Sequence, residues 1–161
     1  MGGRTKLVNS TEELVLATRD KDVRQIIVTA DLNDIPSLRL LPGQSLRSSS
    51  EQRLILTFRQ NTDGLRVSSN NEVGNLVLVA SPESRAIWND RTVENLGSIS
   101  LHSLQTVGRV QILAKDKVRS GHVEVDGLDI IAADSCGEQQ RPPRLRRIRC
   151  AGRFYALEHA G

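Results

Sequence analysis

Three titratable residues stand at alternate positions in the string GHVEVDGLDII: His122, Glu124 and Asp126, with Asp129 just beyond. Residues two apart on an extended strand share a side, so an imidazole and two carboxylates would point the same way. Such a set suits proton transfer to and from a bound molecule. It equally describes a solvated strand face, which must be polar whatever it does. His122, Glu124 and Asp126 are the candidate catalytic residues.

A second group lies in WNDRTVEN, where Trp88 precedes Asn89, Asp90, Arg91 and Glu94. An aromatic ring beside amides and carboxylates can serve as a platform for a sugar, which makes Trp88, Asn89 and Asp90 candidate substrate-binding residues. The same letters fit a core tryptophan followed by an Asn-Asp turn. DLND, with Asp31 and Asp34, has too few oxygen ligands for a calcium site and reads as a turn. Cys136 and Cys150 complete no zinc spacing with the three histidines. There is no Ser/His/Asp order, phosphate loop or dinucleotide fingerprint in a matching context. No metal or cofactor is expected.

These side chains need a scaffold, and the chain of 161 residues is long enough for one domain. Its net charge of +3 is unevenly distributed. Residues 1–135 hold 16 Lys+Arg against 17 Asp+Glu, a net of −1, whereas residues 136–161 hold six arginines and two glutamates, a net of +4. The basicity is confined to the tail, so nucleic acid is not an expected partner. No apolar run approaches a membrane span and no signal-peptide pattern opens the chain, which makes the cytoplasm the default location and gives no membrane partner.

The first nine residues carry no clear pattern and are expected to be disordered. STEELVLATRD then reads as a short helix over residues 10–20. Ser10 is placed to cap it, Glu13 closes a capping box, and Leu14, Leu16 and Ala17 form its apolar side. Beyond it come short β-type runs separated by Gly, Asn, Ser and Pro. Ile26, Leu54, Leu76, Ile99 and Val123 anchor one series, at intervals of 28, 22, 23 and 24 residues. Leu38, Leu65, Ile87 and Val110 anchor another, at 27, 22 and 23. Two strand series sharing a period near 23 predict a solenoid whose coils stack into parallel sheets. Within them Ile99, Leu101, Val123 and Val125 should face inward, with Ser98, Ser100, His102, His122, Glu124 and Asp126 outward. An antiparallel sandwich is the competitor, but two-residue hairpin turns are scarce between the strands.

The strings IPSLRLLPGQSLRS, NTDGLRVSSNNEVGNLVLVASPESRAIWND and LGSISLHSLQTVGRVQILAKDKVRSGHVEVDGLDIIAADS resemble a functionally uncharacterised group of bacterial proteins. Their fold is a right-handed, pectin-lyase-like parallel β-helix. The resemblance covers roughly residues 10–135 and implies an all-β, single-stranded parallel β-helix of about four coils with a short N-terminal capping α-helix. Members of the group continue through further coils.

Residues 136–161, ending RPPRLRRIRCAGRFYALEHAG, break from this pattern. Suitable codons shifted by one nucleotide can encode PHGYGGFDVQGAFTLWNMQ, an alternating run that resembles a further coil of the longer members. The expectation is an Arg-rich irregular tail left out of frame by a single-base change near residues 135–141. The chain would then be a truncated fragment with an uncapped last coil, prone to end-to-end association. Fold analogy suggests carbohydrate or surface binding, with polysaccharide as partner. The alternative is a polysaccharide lyase, epimerase or glycosidase acting through acids on the β-helix flank.

Overall fold

The computed structural model describes residues 3–90, 92, 95–112 and 122–133, together with the strand at 144–150. It opens with strand β1 (Arg4–Val8) and helix α1 (Thr11–Arg19). Ser10 caps the helix, its hydroxyl accepting the Glu13 N–H at 3.2 Å. The Glu13 carboxylate accepts the N–H of Asn9 at 2.9 Å, one residue before the cap, so the capping box is slightly displaced. Leu14, Ala17 and Thr18 are buried against the coils. Leu16 is 67% exposed, contrary to its expected place on the apolar side. Its position, two residues from Leu14, turns it to the opposite face of a 3.6-residue helix. The disordered start is also corrected for Arg4–Val8. This segment pairs in parallel with β2 (Val23–Val28) from Arg4 opposite Val23 to Val8 opposite Val28.

The chain then winds through β3 (Leu32–Ile35), β4 (Leu38–Arg39), β5 (Ser45–Ser48), β6 (Leu54–Phe58), β7 (Leu65–Val67), β8 (Asn71–Val79), β9 (Arg85–Asn89), β10 (Ser98–Val107), β11 (Arg109–Gln111), β12 (His122–Ala132) and β13 (Arg144–Cys150). Among the described residues nine strands form sheet A, in the order β1-β2-β5-β8-β10-β12-β13 with β3 and β6 joined through β8. Four form sheet B, in the order β11-β9-β7-β4. Every recorded pairing is parallel. Strand order follows chain order, as in a β-solenoid, here of about five turns.

The second anchor series is in register throughout: Leu38 opposes Leu65, Leu65 opposes Ile87, and Ile87 opposes Val110. The first series mixes three stacks, one of them the Asn71–Ile99–Val123 stack. Ile26 opposes Leu46 of β5, a strand hidden in a polar stretch, and the stack continues through Val73, Leu101 and Val125. Leu54 belongs to another, through Leu76, Leu104 and Leu128. The mix-up has a conformational cause. Asn75, Ser103 and Gly127 have φ of 57°, 53° and 82°, and they bend the long strands β8, β10 and β12 at matching positions. At that corner the in–out alternation slips by one. Inward residues therefore follow the spacing 73/76/78, 101/104/106 and 125/128/130, all of them buried. Ser103 is the costly member, since left-handed backbone suits glycine or asparagine better than serine. Ser103→Gly is expected to raise stability by about 0.5–1 kcal/mol, seen as a higher urea midpoint at unchanged slope.

The same spacing explains β13. Leu145, Ile148 and Cys150 stand in register with Val125, Leu128 and Ile130. Arg144–Cys150 is thus a parallel strand and the tail is not irregular there. Counting arginines hid an apolar spacing of three and two that repeats the preceding coils.

Buried amides fasten the turns. Gln44, 1% exposed, donates to the carbonyls of Ala17, Asp20 and Val23 and accepts the N–H of Leu41. It thereby satisfies carbonyls at the end of α1 and locks the helix onto the coils. Asn71, 2% exposed, accepts the Ser68 N–H and donates to the carbonyls of Leu41 and Gln44. Asn71 is therefore an internal staple between coils.

Candidate functional site

The parallel register gathers on sheet A's outer face residues that lie far apart in sequence. Ser45, Glu72, Ser100 and Glu124 form one row across successive coils, and Arg47, Gly74, His102 and Asp126 form the next. Ser98 and His122 stand beside them. The inward neighbours Leu46, Val73, Leu101 and Val125 are buried, which fixes the orientation of each outward side chain. Successive members of a row are about 4.8 Å apart.

His102 Nε2 lies 2.9 Å from Glu72 Oε2, across one coil boundary and 30 residues of chain. The imidazole rests over Gly74, where a Cβ would overlap the ring. Glycine here lets an aromatic side chain lie flat on the strand below and reach its carboxylate partner. His122 Nε2 stands 3.7 Å from Glu124 Oε2. All three candidates His122, Glu124 and Asp126 lie on this face, with His122 exposed and the two acids half-buried. Sequence reasoning placed His102 outward without making it part of a site. Glu72, in β8, was not among the candidates. The available signal was the offset of 28 residues that brings Glu72 to Ser100 and Gly74 to His102.

The second candidate group lies on sheet B. Asn89 and Asp90 are buried, at 2% and 1% exposure. Asp90 accepts from Arg39 Nε and Arg66 Nη2, each at 2.6 Å, and from the Thr92 N–H and hydroxyl. Burial alone would raise the Asp90 carboxyl, but donors from Thr92, Arg39 and Arg66 outweigh it and hold the group well below the ordinary carboxylate range. Asp63 behaves likewise. Burial pushes its carboxyl up, the Arg85 side chain and N–H with the Arg109 charge push it down, and the net shift is downward. Trp88 is half-buried. The Arg66 and Arg85 guanidinium carbons lie 4.8 and 3.9 Å from its ring centroid. The cluster presents guanidinium more than indole to an incoming molecule. Arg91 and Glu94 lie outside the described residues.

Elsewhere, Asp31 accepts the Ile55 N–H at 2.8 Å, and Asp34, at φ 55°, pairs with Arg59 at 3.2 Å. Both acids serve turns. Beside them an open groove of about 610 Å³ runs between α1 and the β3–β4 corner, with Leu16 on its wall. Among the described residues no three His, Cys, Asp or Glu side chains gather as a metal centre, and no helix is long and apolar enough to cross a membrane. Cys136 lies outside the described residues. Comparison with family models, curated proteins and solved structures finds no match.

Proposed function

We propose that this β-solenoid binds an extended polysaccharide laid across the coils on the outer face of sheet A. The observation that carries the reading is the pair of rows Ser45–Glu72–Ser100–Glu124 and Arg47–Gly74–His102–Asp126, which repeat polar groups at the stride of the coils. A polymer with a regular repeat can engage such a surface at several points at once. Each hydrogen bond is modest, but the rigid sheet spares the ordering entropy that a loop-built site would lose. Glu72 holding His102 over Gly74 adds a preorganised donor or acceptor at the centre of the face.

The test is binding of the full chain to neutral and acidic polysaccharides, compared with Gly74→Ala. The new Cβ displaces the imidazole, which is the half-exposed end of a mobile side chain, so the fold persists while the Glu72–His102 contact is lost. Affinity is expected to fall about fivefold to tenfold, with His102 ring resonances shifted and the melting temperature nearly unchanged. Wild-type binding that survives Gly74→Ala and Glu124→Gln intact would refute the assignment to this face.

A second reading, hydrolysis or elimination on the same face, is favoured by one feature. An imidazole oriented by a carboxylate is the geometry of a general base. New reducing ends or unsaturated uronates released from a bound polysaccharide would establish it, and binding without product would favour the binding module.

A further inference from the structure

We propose that the outer face of sheet B is a second docking strip, for a sulfated glycan. Arg39, Arg66, Arg85 and Arg109 belong to the four strands of this sheet. Arg39 is in register with Arg66, Arg66 with Trp88, and Arg85 with Arg109. Adjacent coils therefore bring guanidinium groups next to one another at about 4.8 Å per strand.

Among the described residues of the strip, four guanidinium groups share two carboxylates. Asp90 serves Arg39 and Arg66 from beneath, being 1% exposed, while the two arginine side chains are 38% and 29% exposed. Asp63 serves Arg85. Among the described residues Arg109 bonds only neutral groups, Gln111 Oε1 and the Glu83 carbonyl, each at 3.3 Å. The strip thus carries two positive charges beyond what its two aspartates neutralise, and the guanidinium groups stand outermost. A chain of residues 1–135 with net charge −1 keeps this excess local.

The chemistry of the strip selects the ligand. Guanidinium is planar, weakly hydrated and able to donate two parallel bonds to an oxyanion. A sulfate ester is also weakly hydrated, ionised at every physiological pH, and offers three terminal oxygens. Single-stranded nucleic acid would seek bare aromatic faces for its bases. Here Trp88 has guanidinium groups over its ring, and Phe58 is 4% exposed. Charge complementarity without a stacking surface favours the glycan. This site is separate from the sheet A face, and neither requires the other.

Trp88 is the single tryptophan of the chain, so its emission reports on this strip directly. The full chain is titrated at low salt with a heparin oligosaccharide, polygalacturonate, a neutral glucan and oligothymidylate, following Trp88 fluorescence and heat. The heparin oligosaccharide is expected to bind tightest, to change Trp88 emission, and to weaken steeply as salt rises. Arg109→Ala is expected to weaken it about tenfold at unchanged melting temperature. Arg109→Lys, which keeps the charge and loses the fork, should fall between the two. The proposal is overturned by tighter binding of oligothymidylate or polygalacturonate, by heparin binding indifferent to both Arg109 variants, or by no heparin binding at low salt. Neutral-glucan binding that Gly74→Ala weakens, with Trp88 emission unresponsive to the heparin oligosaccharide, would leave the sheet A reading standing and remove this one.

Discussion

Asp90→Ala is expected to lower the unfolding free energy by about 3 kcal/mol at neutral pH. The substitution deletes a buried carboxylate that accepts from Arg39, Arg66 and Thr92 together. It leaves two half-buried guanidinium groups without their acceptor, and Arg66 Nε already lacks a partner in the folded chain. Arg39→Ala should cost much less, about 1 kcal/mol, because Arg39 is more than a third exposed and Arg66 still satisfies the aspartate. The sign of the pH dependence follows from the depressed Asp90 carboxyl. A group whose folded pKa lies below its unfolded value of about 3.9 stabilises the fold above that value and loses its contribution as pH falls towards the folded one. The gap between wild type and Asp90→Ala should therefore be full at pH 7 and narrow below about pH 4, read from urea midpoints.

Leu101→Ala should cost a similar amount, about 3 kcal/mol. Leu101 is fully buried and lies between Val73 and Val125 in its stack. Coils above and below are held at the spacing of the parallel sheet, so they cannot collapse into the space left behind. The loss therefore includes a cavity contribution as well as the transfer of the removed methine and methyl groups. By contrast, Ile55→Ala, at a position 41% exposed on strand β6, should change stability by well under 1 kcal/mol. Thermal or urea unfolding of the two variants distinguishes a stacked interior from a surface that is merely apolar.

The architecture was legible where aliphatic residues alternate cleanly. Leu38, Leu65, Ile87 and Val110 could be aligned by their spacing alone because β4, β7, β9 and β11 are short and unbent. Sheet A was harder, since a left-handed residue in the middle of a strand shifts the alternation and only glycine announces such a position openly. Asn75 and Ser103 do not. Strand β5 was missed for a different reason. In SLRS only Leu46 is a large apolar residue, and the strand is fixed by its neighbours Ile26 and Val73 more than by its own propensity. The same dominance of context makes Arg144–Cys150 a strand.

The candidate site was half legible. His122, Glu124 and Asp126 declare themselves by a spacing of two within one strand. Glu72 and His102 are joined only through the stacking of coils, and the glycine beneath the ring has no meaning until the register is known. Asp90 presents the opposite lesson. An Asn-Asp pair after a tryptophan suggested exposed sugar contacts. The carboxylate instead faces inward because Arg39, 51 residues earlier, supplies a donor that local sequence cannot reveal.

The stacking of parallel coils underlies all of these statements, and cysteine pairing between β10 and β12 tests it most directly. In a chain with Cys136 and Cys150 replaced by serine, the pairs Ser98→Cys with His122→Cys and Gln105→Cys with Asp129→Cys join residues in register at opposite ends of the two strands. Partners about 4.8 Å apart lie within reach of a disulfide. Both pairs are predicted to oxidise rapidly. The crossed pair Ser98→Cys with Asp129→Cys, separated by roughly 20 Å of strand, should not. Rapid closure of the crossed pair, with neither parallel pair forming, would mean antiparallel strands and would contradict the account.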